Sequence, residues 1–225
     1  MVEEAVSAKV EIRAVLASPA LDSTERGRAL RAKLADRVTI TEATDAELAE
    51  LSATEHPQGI LAVIVPKEWT LDDVMVTKAS VVVVLDAVQD PGNVGTIART
   101  AWALGAAGLI ALPGTAEITN PKTLRAMMGA LFRLPIVAAP PERVAEWAAR
   151  HRMTIATTAA DGVPLGRGEI GRPLALVLGN EGHGSQSELA RSATAMVAIP
   201  LVPGAESLNV AVAAGIILYG VLRAR

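Results

Sequence analysis

Two wholly apolar runs constrain this chain more than any other feature: residues 81–85 (VVVVL) and 174–178 (LALVL). A strand with one wet face alternates apolar and polar residues, and these do not. Strands of this kind must be covered on both faces, which is the situation in a parallel α/β sheet. The surroundings agree. Strand-like stretches at 109–112, 153–157 and 196–199 alternate with helical ones. A helix runs from the 91–93 turn through Ala103. Others are expected at 121–132 with Asn120 as cap, at 142–151, at 185–191, and at about 207–223. The expected fold class is α/β, a mostly parallel sheet with helices on both faces.

The first part of the chain reads as a smaller α/β unit. Strands are expected at 10–16, 38–40 and 59–65, the last ended by Pro66. A helix is expected at 23–35 with Ser23 as its cap. Thr44, with Glu47 three residues on, has the pattern of a capping box opening a second helix. Residues 67–79 (KEWTLDDVMVTKA) are more polar and follow a proline, which reads as a linker. The expected domains are 1–66 and 80–225, joined by 67–79.

Several function classes fall away. The chain has no cysteine, so disulfides, thiolate metal sites and cysteine nucleophiles are excluded. His56, His151 and His183 do not form a metal-ligand spacing, and no metal is expected. No signal-peptide pattern opens the chain, and the apolar stretch 210–222 is too short to span a bilayer. A cytoplasmic protein without membrane contact is expected. The net charge of −3 argues mildly against non-specific nucleic-acid binding. Yet Arg13, Arg26, Arg28, Arg31, Lys33 and Arg37 crowd one early segment. Two readings of that cluster stay open: a solvated helix face, or a patch that contacts phosphate.

In an open parallel sheet, ligands gather beyond the carboxyl ends of the strands. Three segments place unusual residues there. In 85–99 (LDAVQDPGNVGTIAR) an apolar strand ends in Asp86 and the chain turns into a helix that Asn93 can cap. Gly95 permits close backbone approach, and Arg99 lies two turns inside among mostly apolar neighbours. In 174–185 (LALVLGNEGHGS) a buried strand runs into a glycine-rich loop. Gly179 and Gly184 have the spacing of a phosphate-binding loop, but Ser185 stands where its lysine is needed and Glu181 would repel phosphate. That weighs against a phosphotransferase. In 199–209 (IPLVPGAESLN), Ser207 and Asn209 both sit at the start of the last helix, where one cap residue suffices.

Together the three segments resemble the motifs of the SpoU/TrmH family of RNA methyltransferases: N-x-G-x(3)-R, GNEGxG, and IP followed by ESLNVAVAAGI. The likeness runs from about Val81 to the end and includes PKTLRAMMGALFRLP, where the family often has serine in place of Met127. The first part is similar to the L30-like substrate-binding domain of many members, TEHPQGILAV being typical of its end. Such members usually carry further residues ahead of the point where this chain starts.

The resemblance implies a carboxy-terminal trefoil knot, a homodimer, and S-adenosyl-L-methionine as methyl donor. Carried onto this chain, the cofactor contacts fall at Gly179, Ile199 and Leu208, with Leu178, Thr157 and Leu201 beside them. The catalytic set is Asn93, Arg99, Glu181, Ser207 and Asn209. Arg99 matches the family's proposed base. Arginine side chains hold their proton at neutral pH, so a charged role, steadying the developing alkoxide and positioning phosphate, is the alternative we favour. Asn93 and Ser207 would orient the arginine or the ribose. Glu181 would hold its loop or pair with Arg99, and Asn209 would fix the loop near the cofactor. The activity implied is methylation of a ribose 2′-hydroxyl. The L30-like domain points to ribosomal RNA; transfer RNA, or a relative that only binds RNA, are the alternatives. The last helix is apolar nearly all round, which suits a subunit contact at or near it.

Overall fold

The computed structural model describes residues 1–52, 57–166, 170–180, 184–185 and 187–223, with only the backbone of 160–161. The chain divides into two compact units, Met1–Lys67 and Glu68–Arg225.

The first unit contains α1 (Val2–Ser7), β1 (Glu11–Ala17), α2 (Glu25–Ala35), β2 (Ile40–Glu42), α3 (Asp45–Leu51) and β3 (Ile60–Val65). Its sheet has the order β2-β1-β3, with β1 parallel to β2 and antiparallel to β3. Val6, Val15, Leu30 and Leu34 form its buried core. Helix α1 was not legible in the sequence; six residues carry too little periodicity. The cap of α2 is Thr24 rather than Ser23. Thr24 Oγ1 accepts from the Gly27 amide at 3.0 Å, while Ser23 Oγ donates to the Ala20 carbonyl at 2.7 Å. The capping box of α3 is present, with Thr44 and Glu47 bonded reciprocally.

The crowded arginines are largely engaged within this unit. Arg26 pairs with Glu3, Arg31 with Asp22 and Glu42, and Arg13 with Glu11. Arg28 and Arg37 donate to the carbonyls of Asp22 and Val6. Exposed pairs of this kind add little stability, about 0–1 kcal/mol each. They do neutralise local charge, which favours the solvated-face reading over a ready-made phosphate patch.

The second unit contains β4 (Val81–Asp86), α4 (Pro91–Leu104), β5 (Gly108–Ala111), α5 (Pro121–Met127), β6 (Ile136–Ala138), α6 (Pro141–Arg150), β7 (Thr154–Pro164), β8 (Leu174–Gly179), α7 (Glu188–Arg191), β9 (Ala195–Ala198) and α8 (Val210–Arg223). The six strands lie in the order β6-β5-β4-β8-β7-β9, and every neighbouring pair is parallel. The two apolar runs are therefore adjacent central strands, aligned from Val81 opposite Leu174 to Asp86 opposite Gly179.

Each central strand serves two cores. Val81, Val83, Leu85, Leu174, Leu176 and Leu178 face a cluster shared with α4 and α8. Val82, Val84, Ala175 and Val177 face another, with Trp147 and Val144 of α6. Helices cover both faces, as the continuous apolar runs demand.

Three expectations change in detail. The polar stretch 67–79 is not free chain: Leu71 and Val74 are buried against the second core, so its two well-placed apolar residues outweigh its polar composition. The helix expected at 121–132 breaks. It ends at Met127, Met128 takes φ 55°, and a 3-10 turn follows (Met128–Phe132). Strand β6 was missed, being three residues long. Gly95 does permit a close approach, and the approaching backbone is that of α5: a Cβ on residue 95 would stand 2.5 Å from the Thr123 carbonyl oxygen.

Candidate active site

Because all six strands run the same way, the loops after β4, β8 and β9 leave the same edge of the sheet. The three unusual segments are brought to that edge by topology alone.

The first loop leaves β4 at Asp86, which is 5% exposed. Its Oδ2 accepts from the Ser187 amide at 2.9 Å. Ala87 follows with φ 57°, a strained conformation for a residue with a Cβ. The cap of α4 is Asp90, not Asn93. Asp90 Oδ1 accepts from the Asn93 amide at 2.9 Å, and its Oδ2 accepts from Lys122 Nζ at 2.8 Å. The Lys122 ammonium, and next the Asn93 amide, hold the Asp90 carboxyl below its ordinary value. Asn93 thus stands in the first turn of α4 with its side chain released for other work.

That work is visible. Asn209 Nδ2 donates to Asn93 Oδ1 at 3.1 Å. Asn209 Oδ1 accepts from the amides of Ala211 and Val212, so Asn209 is also the cap of α8. The last helix starts at Val210, which leaves Ser207 and Leu208 in the preceding exposed loop.

Arg99 is not brought into this pair. It lies six residues beyond Asn93 on α4, about 9 Å along the axis and about 120° around it. It is exposed, and among the described residues it makes no hydrogen bond or ion pair. Its helical neighbour is Trp102, 37% exposed, over which the Arg133 guanidinium lies at 5.3 Å.

The second loop leaves β8 at Gly179, next to Asp86 in register. A Cβ on residue 179 would stand 2.2 Å from the Ser185 nitrogen and 2.3 Å from the Gly184 carbonyl carbon, so only glycine fits. Asn180 and Gly184 exchange both backbone hydrogen bonds, and Asn180 Nδ2 donates to the Ala87 carbonyl at 3.2 Å. Ser185 Oγ is buried with no hydrogen-bond partner among the described residues. Glu181 lies outside the described residues, as does His183.

The third loop, 199–208, walls a cleft of about 580 Å³ with the far end of β7. Ile199, Leu201, Ser207 and Leu208 line it, together with Thr158 and Ala159. Leu178 is buried in the core, Thr157 is 9% exposed, and Gly179 closes the neighbouring strand end; none of the three lines the cleft. From β7 the cleft takes Thr158, Ala159, Gly162 and Pro164, all beyond the expected Thr157.

Sequence reasoning passed over Asp86, Asp90, Lys122, Asn180 and Ser185 as site residues. Asp86 had a legible signal, a carboxylate directly after five apolar residues. Lys122 had none, because its partner is 32 residues away. No group of three or more His, Asp or Glu suited to a metal occurs among the described residues, and no described helix is long and apolar enough to cross a membrane.

Residues 80–219 match the SpoU rRNA methylase family, and residues 1–62 match the MRM3-like substrate binding domain. The chain is 39% identical over 170 residues to the 23S rRNA (guanosine(2553)-2'-O)-methyltransferase RlmP of Bacillus subtilis, covering 75% of this chain and 66% of that protein. It is 35% identical over 185 residues to a 23S rRNA (uridine(2479)-2'-O)-methyltransferase of Streptomyces viridochromogenes, covering 76% and 62%. The matched part thus spans just under two thirds of these relatives. Among solved structures, the SpoU methyltransferase AviRb of Streptomyces viridochromogenes in complex with AdoMet superposes with a TM-score of 0.86 at 29% identity, covering 99% of this chain and 86% of that one. The AdoMet-bound rRNA methyltransferase of Sinorhizobium meliloti gives 0.85 at 31%, covering 99% and 84%.

Proposed function

The chain belongs to the SpoU rRNA methylase family, and from that premise we propose that it transfers a methyl group from S-adenosyl-L-methionine to a ribose 2′-hydroxyl of RNA. Ribosomal RNA is the proposed substrate, since relatives 39% and 35% identical to it over the matched residues carry 23S rRNA in their names. The observation that carries the reading is the Asn209–Asn93 hydrogen bond, because it joins the first and third motifs beside the cleft walled by 199–208.

The residues fit the cofactor. Ile199, Leu201 and Leu208 give the cleft apolar walls, and Ser207 and Thr158 add hydroxyls. Ser185 Oγ, buried beside Gly179 and without a partner among the described residues, offers a further polar contact. Gly179, Ile199 and Leu208 would hold the cofactor, with Leu178 and Thr157 packed behind and Leu201 at the rim. Bound there, S-adenosylmethionine supplies an electrophilic methyl group on a sulfonium sulfur.

The chain's own groups then have four tasks. Asn93 and Asn209, fixed by one another, orient the ribose at the strand edge. Ser207 stands in the same loop and steadies the hydroxyl. Arg99 is exposed, so we assign it the charged role: it binds RNA phosphate and stabilises the alkoxide as the hydroxyl proton departs. Glu181 is proposed to hold its loop.

The remaining parts of the reading concern assembly. Val212, Ile216 and Tyr219 of α8 are exposed at 52%, 40% and 63% and recur at i, i+4 and i+7, an apolar stripe on the outer face of a helix whose inner face is core. Such a stripe supports a homodimer through α8. The chain passage from β9 through 199–208 into α8 is the stretch where the family's trefoil knot would form. We propose a cytoplasmic location, which suits a ribosomal RNA substrate, with the first unit as the substrate-binding domain.

Two measurements test the proposal. Tritium from labelled S-adenosylmethionine should pass to ribosomal RNA from cells lacking the protein, and mapping of 2′-O-methyl positions should show one site that depends on it. Cofactor at a hundredfold excess over its dissociation constant should stabilise the protein by about 2.7 kcal/mol, a melting shift of about 5–10 °C. Transfer to transfer RNA alone would replace the substrate, and no shift at millimolar cofactor would sink the reading.

A further inference from the structure

The glycine-rich loop after β8 is held at both ends by residues at the end of β4. At its entry, Asn180 Nδ2 donates to the Ala87 carbonyl at 3.2 Å. At its exit, the Ser187 amide donates to Asp86 Oδ2 at 2.9 Å. Between these points the Asn180–Gly184 backbone pair closes the loop, and Gly184 and Ser185 fold back over Gly179 so closely that no Cβ fits there. Ser187 in turn caps α7, its Oγ accepting from the Ala190 amide at 3.2 Å. The described residues of the loop are thus tied down at its entry and at its exit.

The anchor side is unusual. Asp86 is a carboxylate only 5% exposed at the end of a central strand, and such a group is retained only if its bonds repay its desolvation. Ala87, with φ 57°, holds a conformation that a residue with a Cβ adopts only when its surroundings enforce it. Its carbonyl is the one that Asn180 grips. Four residues after Asp86, Asp90 caps α4 and sets the amide of Asn93. One short segment therefore touches the cofactor-side loop at Asp86 and Ala87 and the ribose-side residue at Asp90.

We propose that Asp86 and Asn180 are positioning residues. They hold the Gly179 loop in register with the β4–α4 loop, so that the cofactor and Asn93 meet in one geometry. This rests on the cofactor reading above. Neither residue touches the reacting atoms; Asp86 acts through Ser187, and Asn180 acts through Ala87.

The test is calorimetric titration of S-adenosylmethionine into wild type, Asn180→Ala, Asp86→Asn and Asp86→Leu, alongside melting temperatures without cofactor and steady-state kinetics. Asn180→Ala should weaken cofactor binding about three- to tenfold, the effect of one lost hydrogen bond. Its melting temperature without cofactor should stay near wild type and its KM for RNA should not change. Asp86→Asn keeps an acceptor oxygen and should bind within about threefold of wild type; Asp86→Leu, if it folds, should lose binding beyond that of Asn180→Ala. Wild-type affinity in Asn180→Ala overturns the proposal, as does equal loss in Asp86→Asn and Asp86→Leu. A wild-type protein that binds no S-adenosylmethionine overturns the cofactor reading itself, and this inference with it.

Discussion

Asn209 Nδ2 donates to Asn93 Oδ1 at 3.1 Å, joining residues 116 positions apart. The same Asn209 side chain caps α8 through its oxygen. One amide thus starts the last helix and ties it to the first turn of α4. The two tasks can be separated by mutation. Asn209→Ala removes both, and a lost cap costs about 1 kcal/mol, or about 2–4 °C in a chain of this size. Asn93→Ala removes the tie and leaves the cap of α8 in place, so its melting temperature should fall less. Both should lose at least tenfold in methyl transfer. Equal melting losses would mean that the tie, not the cap, carries the stability.

Arg99→Ala should abolish methyl transfer while leaving S-adenosylmethionine affinity within several-fold, since Arg99 lies outside the cleft wall. Arg99→Lys keeps the charge but loses the planar two-pronged grip on phosphate, and should recover only a small part of the rate. A fully active Arg99→Ala enzyme would remove both the base and the charged role.

Asp90 titrates below its ordinary value of 3.8 chiefly because Lys122 bonds it. Its folded pKa is the lower one, so its contribution to stability is complete above about pH 4 and is lost as pH falls through the folded value. Lys122→Met should move the Asp90 carboxyl titration upward in an NMR pH series. An unmoved titration would show that the Asn93 amide, not the ammonium, holds the carboxyl down.

Met127→Ser would restore the residue that the family often carries. Met127 is fully buried among Val94, Ile97 and Leu134, so here serine leaves a cavity and a hydroxyl in an apolar core. The cost should be about 3 kcal/mol, a melting loss of about 6–12 °C, with no gain in methyl transfer. A neutral substitution would indicate that α5 can turn the serine toward the site.

Gly179→Ala places a Cβ 2.2 Å from the Ser185 nitrogen, backbone that cannot swing aside as a side chain would. The loop must move. Cofactor affinity should fall at least tenfold, read by calorimetry, while the far-UV spectrum stays close to wild type.

The parallel sheet was legible because residues 81–85 and 174–178 have no polar face, and only two-sided burial accommodates that. The helices were legible where periodicity and caps coincide, as in Thr44 with Glu47. Boundaries failed where two residues could cap. Thr24 displaced Ser23, and Asp90 displaced Asn93, because a cap is chosen by which side chain reaches the free amides, and that depends on the loop before it.

The candidate site divides the same way. The apolar runs and their alternation with helices were enough to predict a parallel sheet, and so the edge at which Asn93, Gly179 and Asn209 emerge, though not the three-residue strand β6. A periodic pattern is local, and it survives whatever the rest of the chain does. Which of these residues meet was set by long-range packing: Asn93 with Asn209, Asp90 with Lys122, Asn180 with the Ala87 carbonyl, and Arg99 with none of them. Those bonds span between 32 and 116 residues. A single side-chain bond across such distances leaves no trace in local periodicity, because its geometry is set by the packing of whole strands and helices, not by the residues on either side of it.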